Sequence, residues 1–201
     1  MDKVTACLIT WKRQHNLSKI IDSLSKWDFI SEIIIRDNSK LENIINYGRY
    51  TSALKAENDI IYTQDDDCII QNLDEVYKGF IKDKTRICHS GISDYEKVIP
   101  TNIYGECQMA MAGWGSFFDK KWISVLDTYI NKYGKDKCFL RETDRIFSIL
   151  LKRHHNFVLG DIIVLDGAKD EFALCMQPDH LPFKNLAVDR ALKIVGERKD
   201  D

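Results

Sequence analysis

Three consecutive aspartates, Asp65, Asp66 and Asp67, follow the apolar run Asp59 to Thr63 (DIIYT), with only Gln64 between. Carboxylates crowded at a strand end are costly unless something positive binds among them. In an extended chain Asp65 and Asp67 point to one side and Asp66 to the other. Such a group suits a hard divalent cation, Mg²⁺ or Mn²⁺. A metal held by only one or two protein carboxylates takes its other ligands from phosphates and water. The alternative reading of the same three residues is an acidic, solvated turn.

Two other turns fall in comparable places. Thr10-Trp11-Lys12-Arg13 follows the apolar run Val4 to Thr10, and Asp37-Asn38-Ser39 follows Glu32 to Arg36. If the three runs are parallel strands, both turns share an edge with the aspartates, where open α/β sheets bind ligands. A carboxylate or amide there suits a base or ribose edge, and Lys12 or Arg13 suits phosphate. Alone, Asp37-Asn38 is an ordinary turn.

The elements that must position these residues read as follows. Val4 to Thr10, Glu32 to Arg36 and Asp59 to Thr63 are expected as buried strands. A helix capped by Asn16 follows the first, helical pieces occupy Leu41 to Glu57, and Asn72 with Glu75 caps a helix through Ile81. Alternation of strand and helix predicts right-handed βαβ units and a parallel sheet covered by helices. Further on, Thr85 to Gly91, Lys97 to Thr101 and Phe157 to Leu165 are candidate strands, the last interrupted at Gly160-Asp161. Asp119 to Tyr133, Arg141 to Arg153 and Asn185 to Glu197 are candidate helices. No repeat or linker breaks the 201 residues, so one domain is expected over 1–201.

Composition excludes several classes. The chain has 44% hydrophobic and 30% charged residues, with 10 Gly and 3 Pro, which fits a globular protein and not a low-complexity one. No apolar run approaches a membrane span, and the N-terminus lacks a signal-peptide core, so a cytoplasmic protein is expected, in a bacterium or a phage-infected host. The net charge of -2 argues neither for nor against nucleic acid. None of the six cysteines sits in a C-x-x-C pair, which speaks against zinc and for buried free thiols.

Strand 1 ending in T-W-K-R, strand 2 in R-D-N-S and strand 3 in Q-D-D-D form an ordered set that resembles the GT-A glycosyltransferases. Q-D-D-D matches the D-x-D signature of nucleotide-sugar transferases. The DDD form, the short spacing and the early T-x-x-R turn look most like exostosin-like enzymes, and family-2-like transferases are also similar. The resemblance covers roughly residues 4 to 155. It implies a single Rossmann-like α/β domain with a mostly parallel central sheet flanked by helices. A nucleotide-sugar half would occupy about 1–70 and an acceptor and catalytic half about 71–201.

Carried residue by residue, the resemblance implies that Thr10, Arg13, Asp37 and Asn38 line the nucleotide pocket. Arg49 would lie near base or diphosphate, Asp65 would contact ribose or the metal, Asp67 would bind the metal directly, and Asp66 would lie nearer the sugar. Gly113-Trp114-Gly115-Ser116 matches in position the small-residue loop that shapes the donor and acceptor pocket, with Trp114 able to stack on a sugar. The plainer reading of Trp114 is a core side chain at a tight turn. Glu142-Thr143-Asp144 falls where these families place an acidic pair, although here a threonine separates the two acids. Asp144 is therefore the first candidate catalytic carboxylate and Glu142 the second, against a reading as helix N-terminal acids. Among the late histidines His154, His155 and His180, the last, on a polar loop, is the candidate metal ligand.

The function so implied is a Mn²⁺- or Mg²⁺-dependent transfer of a sugar from a nucleoside diphosphate sugar, often a UDP-sugar, to an acceptor hydroxyl. The acceptor would be a saccharide or lipid-linked glycan, or hydroxymethylated pyrimidine in DNA. A DNA acceptor needs a basic strip, for which Lys120-Lys121, Lys132, Lys135, Lys137 and Lys152-Arg153-His154-His155 are available, unless they form a solvated face. The alternatives are a nucleotidyltransferase, which would normally show a Gly-rich loop absent from residues 10 to 16, and an inactive nucleotide-sugar-binding module.

Overall fold

The computed structural model describes residues 1–91, 110, 112–151 and 155–197. Within them, β1 (Val4–Thr10), β2 (Ile30–Asp37) and β3 (Ile60–Gln64) lie parallel, with β1 in the middle. The central sheet continues through β6 (Ser116–Asp119), β5 (Cys88–Gly91) and β7 (Asn156–Leu159), giving the order β2-β1-β3-β6-β5-β7. Only β6 runs against the others. A separate antiparallel ribbon pairs β4 (Cys68–Ile70) with β8 (Ile162–Val164). The mostly parallel sheet expected from the sequence is therefore present.

Among the described residues six helices flank it: α1 (Leu17–Leu24), α2 (Tyr47–Ala53), α3 (Leu73–Lys82), α4 (Val125–Tyr133), α5 (Lys137–Leu150) and α6 (His180–Glu197). Consecutive residues of β6 show how the layers are held. A strand sends neighbouring side chains to opposite faces. Phe117 packs with Phe29, Tyr62, Tyr77 and Phe80, the last two from α3. Phe118 instead packs with Tyr50 of α2 and Phe147 of α5. Each buried aromatic contributes roughly 1.5–3 kcal/mol of transfer free energy. The second cluster also fixes the two helices that carry Arg49 and Asp144.

Several local expectations are corrected. Strand β2 is an edge strand, half-buried along its length, because only β1 pairs with it. Asn16 does not cap α1; its side-chain amide donates to the backbone carbonyls of Asp66 and Asp166. Helix α5 begins at Lys137, where Asp136 accepts a 2.9 Å hydrogen bond from the Phe139 amide as its N-cap. Helix α6 begins at His180, ahead of Asn185, since a proline in the first turn lacks only a donor that no intrahelical acceptor would have used. Cys7, Cys68, Cys88 and Cys138 are buried free thiols as expected, but Cys175 is exposed. Lys97 to Thr101, Lys152 to His154 and Cys107 lie outside the described residues.

Candidate functional site

Register brings the three strand ends together: Thr10 pairs with Asp37, and Leu8 with Gln64. The aspartates after β3 then divide. Asp66, 8% exposed, turns inward, where its Oδ2 accepts from Thr10 Oγ1 at 2.7 Å and its Oδ1 from Arg13 Nη1 at 3.1 Å. Through these two contacts Asp66 anchors its loop to the turn after β1. Asp65 and Asp67 stay partly exposed, the first more than the second.

Two arginines serve these acids. Arg13 reaches Asp66, Asp67 at 3.4 Å and, through Nη2, Asp170 at 2.8 Å. Arg49 is 1% exposed, and its Nη2 meets Asp65 Oδ1 at 2.6 Å and Asp144 Oδ2 at 3.5 Å. Arg49 is buried and pins two carboxylates from different elements. Burial opposes its charge, but Asp144 and Asp65 more than compensate and hold its pKa above the usual value. Tyr50 donates its hydroxyl to Asp144 Oδ1 at 2.9 Å. Burial raises the Asp144 pKa, with Arg49 and Tyr50 opposing and Asp65 adding to the rise. Asp67 is pushed up to about 7, first by burial and then by Asp65, against the pull of Arg13.

The Asp37 carboxylate is held down at about 2, chiefly by the Ser39 hydroxyl, with the Ser39 amide and Gln14 also donating. Asn38 is buried. Its amide N–H donates to Thr10 O, its Oδ1 accepts from Arg36 Nε, and its Nδ2 donates to Ile45 O. The side chain thus links β2 to the turn that follows it, while the backbone N–H ties that turn to β1. Trp11 remains partly exposed, edge-on to Phe172 with centroids 5.6 Å apart, and Lys12 lies over its ring.

Gly113 and Trp114 lie on the single turn Ala112–Trp114 that precedes β6. The Gly113 carbonyl accepts the Asp65 amide at 2.7 Å. A Cβ on Gly113 would stand 2.1 Å from Asp65 Oδ2, so only glycine lets the carboxylate lie against this turn. Gly113→Ala is expected to displace Asp65 from Arg49 and cost about 1–3 kcal/mol as overpacking. Denaturant unfolding measures it, and unchanged stability would contradict the close approach. Trp114 is half-buried.

Glu142 and His180 are placed together. Glu142 is buried, sits at a non-helical kink within α5 (φ -106, ψ 21) and accepts from Arg145 Nε at 2.7 Å. His180 opens α6, with Nδ1 3.9 Å from Glu142 Oε1. Among the described residues no three His, Cys, Asp or Glu side chains are grouped to hold a metal, so the set Asp65, Asp67 and His180 is not assembled. The physical reason is that α6 packs along α5, which carries His180 to Glu142.

The donor set still fits a divalent ion. Asp65, Asp66, Asp67, Asp144 and Asp170 share two guanidinium groups, Arg13 and Arg49, leaving the cluster short of positive charge. Sequence reasoning missed Tyr50 and Asp170, whose roles depend on contacts 94 and 157 residues distant along the chain, and no local pattern marks such contacts.

No known family matches the sequence, and a search of curated proteins finds no relative. Solved structures do match. Glucosyl-3-phosphoglycerate synthase from Mycobacterium tuberculosis, in complex with Mg²⁺ and UDP, superposes with a TM-score of 0.55 at 12% identity, covering 94% of this chain and 80% of that one. The same synthase with Mn²⁺, UDP-glucose and phosphoglyceric acid gives 0.57 at 11% identity, covering 97% and 80%. S. aureus TarS 1-349 with UDP-GlcNAc gives 0.57 at 11% identity, covering 94% and 66%. The fold is the GT-A fold. In GT-A terms, the edge that gathers Thr10, Asp37 and the three aspartates is the C-terminal edge of the first three strands. At these identities the likeness is one of fold. Among the described residues no helix is long and apolar enough to cross a membrane.

Proposed function

We propose that the chain is a divalent-metal-dependent glycosyltransferase that moves a sugar from a nucleoside diphosphate sugar, a UDP-sugar first, to an acceptor hydroxyl. The observation that carries the reading is the surplus of carboxylates at the GT-A sheet edge, with Asp65 and Asp67 partly exposed and Asp66 bonded inward to Thr10. The UDP, UDP-glucose and UDP-GlcNAc complexes of like-folded proteins favour the donor class.

Asp67 and Asp65 would hold Mn²⁺ or Mg²⁺. When bound, the ion supplies neutralisation of the charge on the departing diphosphate. Arg13 keeps Asp66 and Asp67 in register and ties them to Asp170. Arg49 sets the separation of Asp65 from Asp144. Asp37 stays ionised and available to a ribose or base edge. Trp114 and Gly113 shape the floor beside Asp65. Asp144 is the catalytic carboxylate: Tyr50 occupies Oδ1, while Oδ2 is only loosely held by Arg49 and retains capacity to accept the proton of the acceptor hydroxyl. Glu142, bound to Arg145, is a positioning residue. On this reading residues about 1–70 handle the donor and about 71–201 the acceptor and catalysis.

A saccharide-like acceptor is favoured over DNA. Lys120, Lys121, Lys132 and Lys137 each face a carboxylate, so the candidate basic strip is largely neutralised where it is described.

Calorimetric titration of UDP, with Mn²⁺ and again with EDTA, tests the reading. Metal-dependent binding is expected, weakened by more than ~10-fold in Asp67→Ala, since even partners of metal ligands matter on that scale. Equal affinity in wild type and Asp67→Ala would remove the metal assignment.

A further inference from the structure

Where α5 meets α6, cationic groups outnumber the carboxylates among the described residues. Lys137, Arg141 and Arg145 repeat every fourth residue along α5, which sets them on one face. Helix α6 brings His180 and Lys184, also four apart. Asp179 answers two of these groups, accepting from Arg141 Nη1 at 2.6 Å and from Lys137 Nζ at 3.2 Å. Glu142 answers Arg145.

The remaining donors are left over. Arg141 is 3% exposed, yet its Nε and Nη2 have no hydrogen-bond partner among the described residues. Its guanidinium lies 4.9 Å from the centre of the Phe183 ring, which offers a π face but no acceptor oxygen. His180 Nδ1 is also buried without a hydrogen bond. Lys184 is half-buried and has no carboxylate within ion-pair distance among the described residues. Burial lowers its pKa and Arg145 lowers it further, with Glu142 opposing. At His180 burial again leads, Glu142 opposes, and Arg145, Lys184 and Arg141 all disfavour a proton. Three cations therefore surround one imidazole.

Each buried donor without an acceptor costs about 1–3 kcal/mol. An anion bearing several oxygens would end that deficit. We propose that the junction of α5 and α6 formed by Arg141, His180 and Lys184 binds a phosphate monoester carried by the acceptor substrate. The word acceptor rests on the transferase reading above; the anion site does not. A monoester dianion matches two cationic heads and an imidazole N–H, whereas a diester carries one charge. The site adjoins Glu142, which stands two residues before Asp144 on α5, and this closeness along the helix is what ties the anion site to the acceptor side of the proposed centre.

Inorganic phosphate is titrated calorimetrically into the full-length protein without UDP or metal. Saturable binding is expected in wild type and in Lys193→Gln, an exposed position on the same helix. Lys184→Gln should bind at least about tenfold more weakly, the scale of one charge-assisted hydrogen bond. Equal affinity in wild type and Lys184→Gln overturns the site. Equal losses in both variants also overturn it, because they would mark general charge attraction. Dimethyl phosphate binding as tightly as phosphate overturns the monoester assignment. Phosphate binding that depends on Lys184, without metal-dependent UDP binding, supports the site while removing the transferase reading. Metal-dependent UDP binding without a phosphate site removes only this inference.

Discussion

Arg49→Met is expected to destabilise the protein by about 3 kcal/mol, the low end of what is lost when one partner of a buried ion pair is removed. The low end applies because Asp65 is 37% exposed at its side chain and water can take up part of its charge. Asp144 has less relief, with 17% of its side chain exposed and burial already raising its pKa. Methionine fills the space of the stem and leaves both carboxylates facing each other without a cation. For a chain of this size the loss corresponds to a fall in Tm of roughly 6–12 °C. Arg49→Lys keeps the charge but not the two-pronged head and should lose less. Denaturant unfolding of the three proteins measures the series, and a methionine variant as stable as wild type would show that Arg49 does not neutralise the pair.

The second large effect falls on turnover. Asp144→Asn should lower kcat by about 10²–10⁴-fold, the range of a positioned general base, while UDP affinity with Mn²⁺ changes by less than about threefold. The amide keeps an oxygen for the Tyr50 hydroxyl, so the 2.9 Å contact and the packing beneath it survive. On the proposed reading, what disappears is the negative Oδ2 that would take the acceptor proton. The comparison requires a donor and acceptor pair that wild type turns over. Full turnover by the asparagine variant would transfer the role away from Asp144.

The first three strands were readable because each is a short apolar run whose following turn carries its own polar punctuation, whereas β4, three residues long, is too short to show a period. DIIYT followed by QDDD announced both β3 and the carboxylates beyond it. The later elements were harder for identifiable reasons. Helix α5 was expected four residues too late because the Asp136 cap lies beside polar residues that hide the amphipathic pattern. Helix α6 was expected at Asn185 because Pro182 reads as a breaker unless it lies in the first turn. At the site, sequence identified which residue types gather but not which way each points. Asp66 and Asn38 turn inward because buried partners, Thr10 with Arg13 and Arg36, compete for them. Those partnerships are set by strand register and long-range packing, which one sequence does not display.

The reversed strand β6 has a consequence for the order in which the protein is made. Strands β1, β2 and β3 are all synthesised by Gln64, but the far edge of β3 gains its partner only when Ser116–Asp119 emerges, some fifty residues later. At about 5–20 residues per second the nascent chain carries an open Ile-Ile-Tyr-Thr edge for roughly 3–10 s. Such an edge invites pairing with other chains. Asp65, Asp66 and Asp67 stand at its end as a block of like charge, the kind of flank that repels a second strand. The same block of charge that lies at the candidate site in the folded protein thus flanks the unpaired strand while the sheet is incomplete.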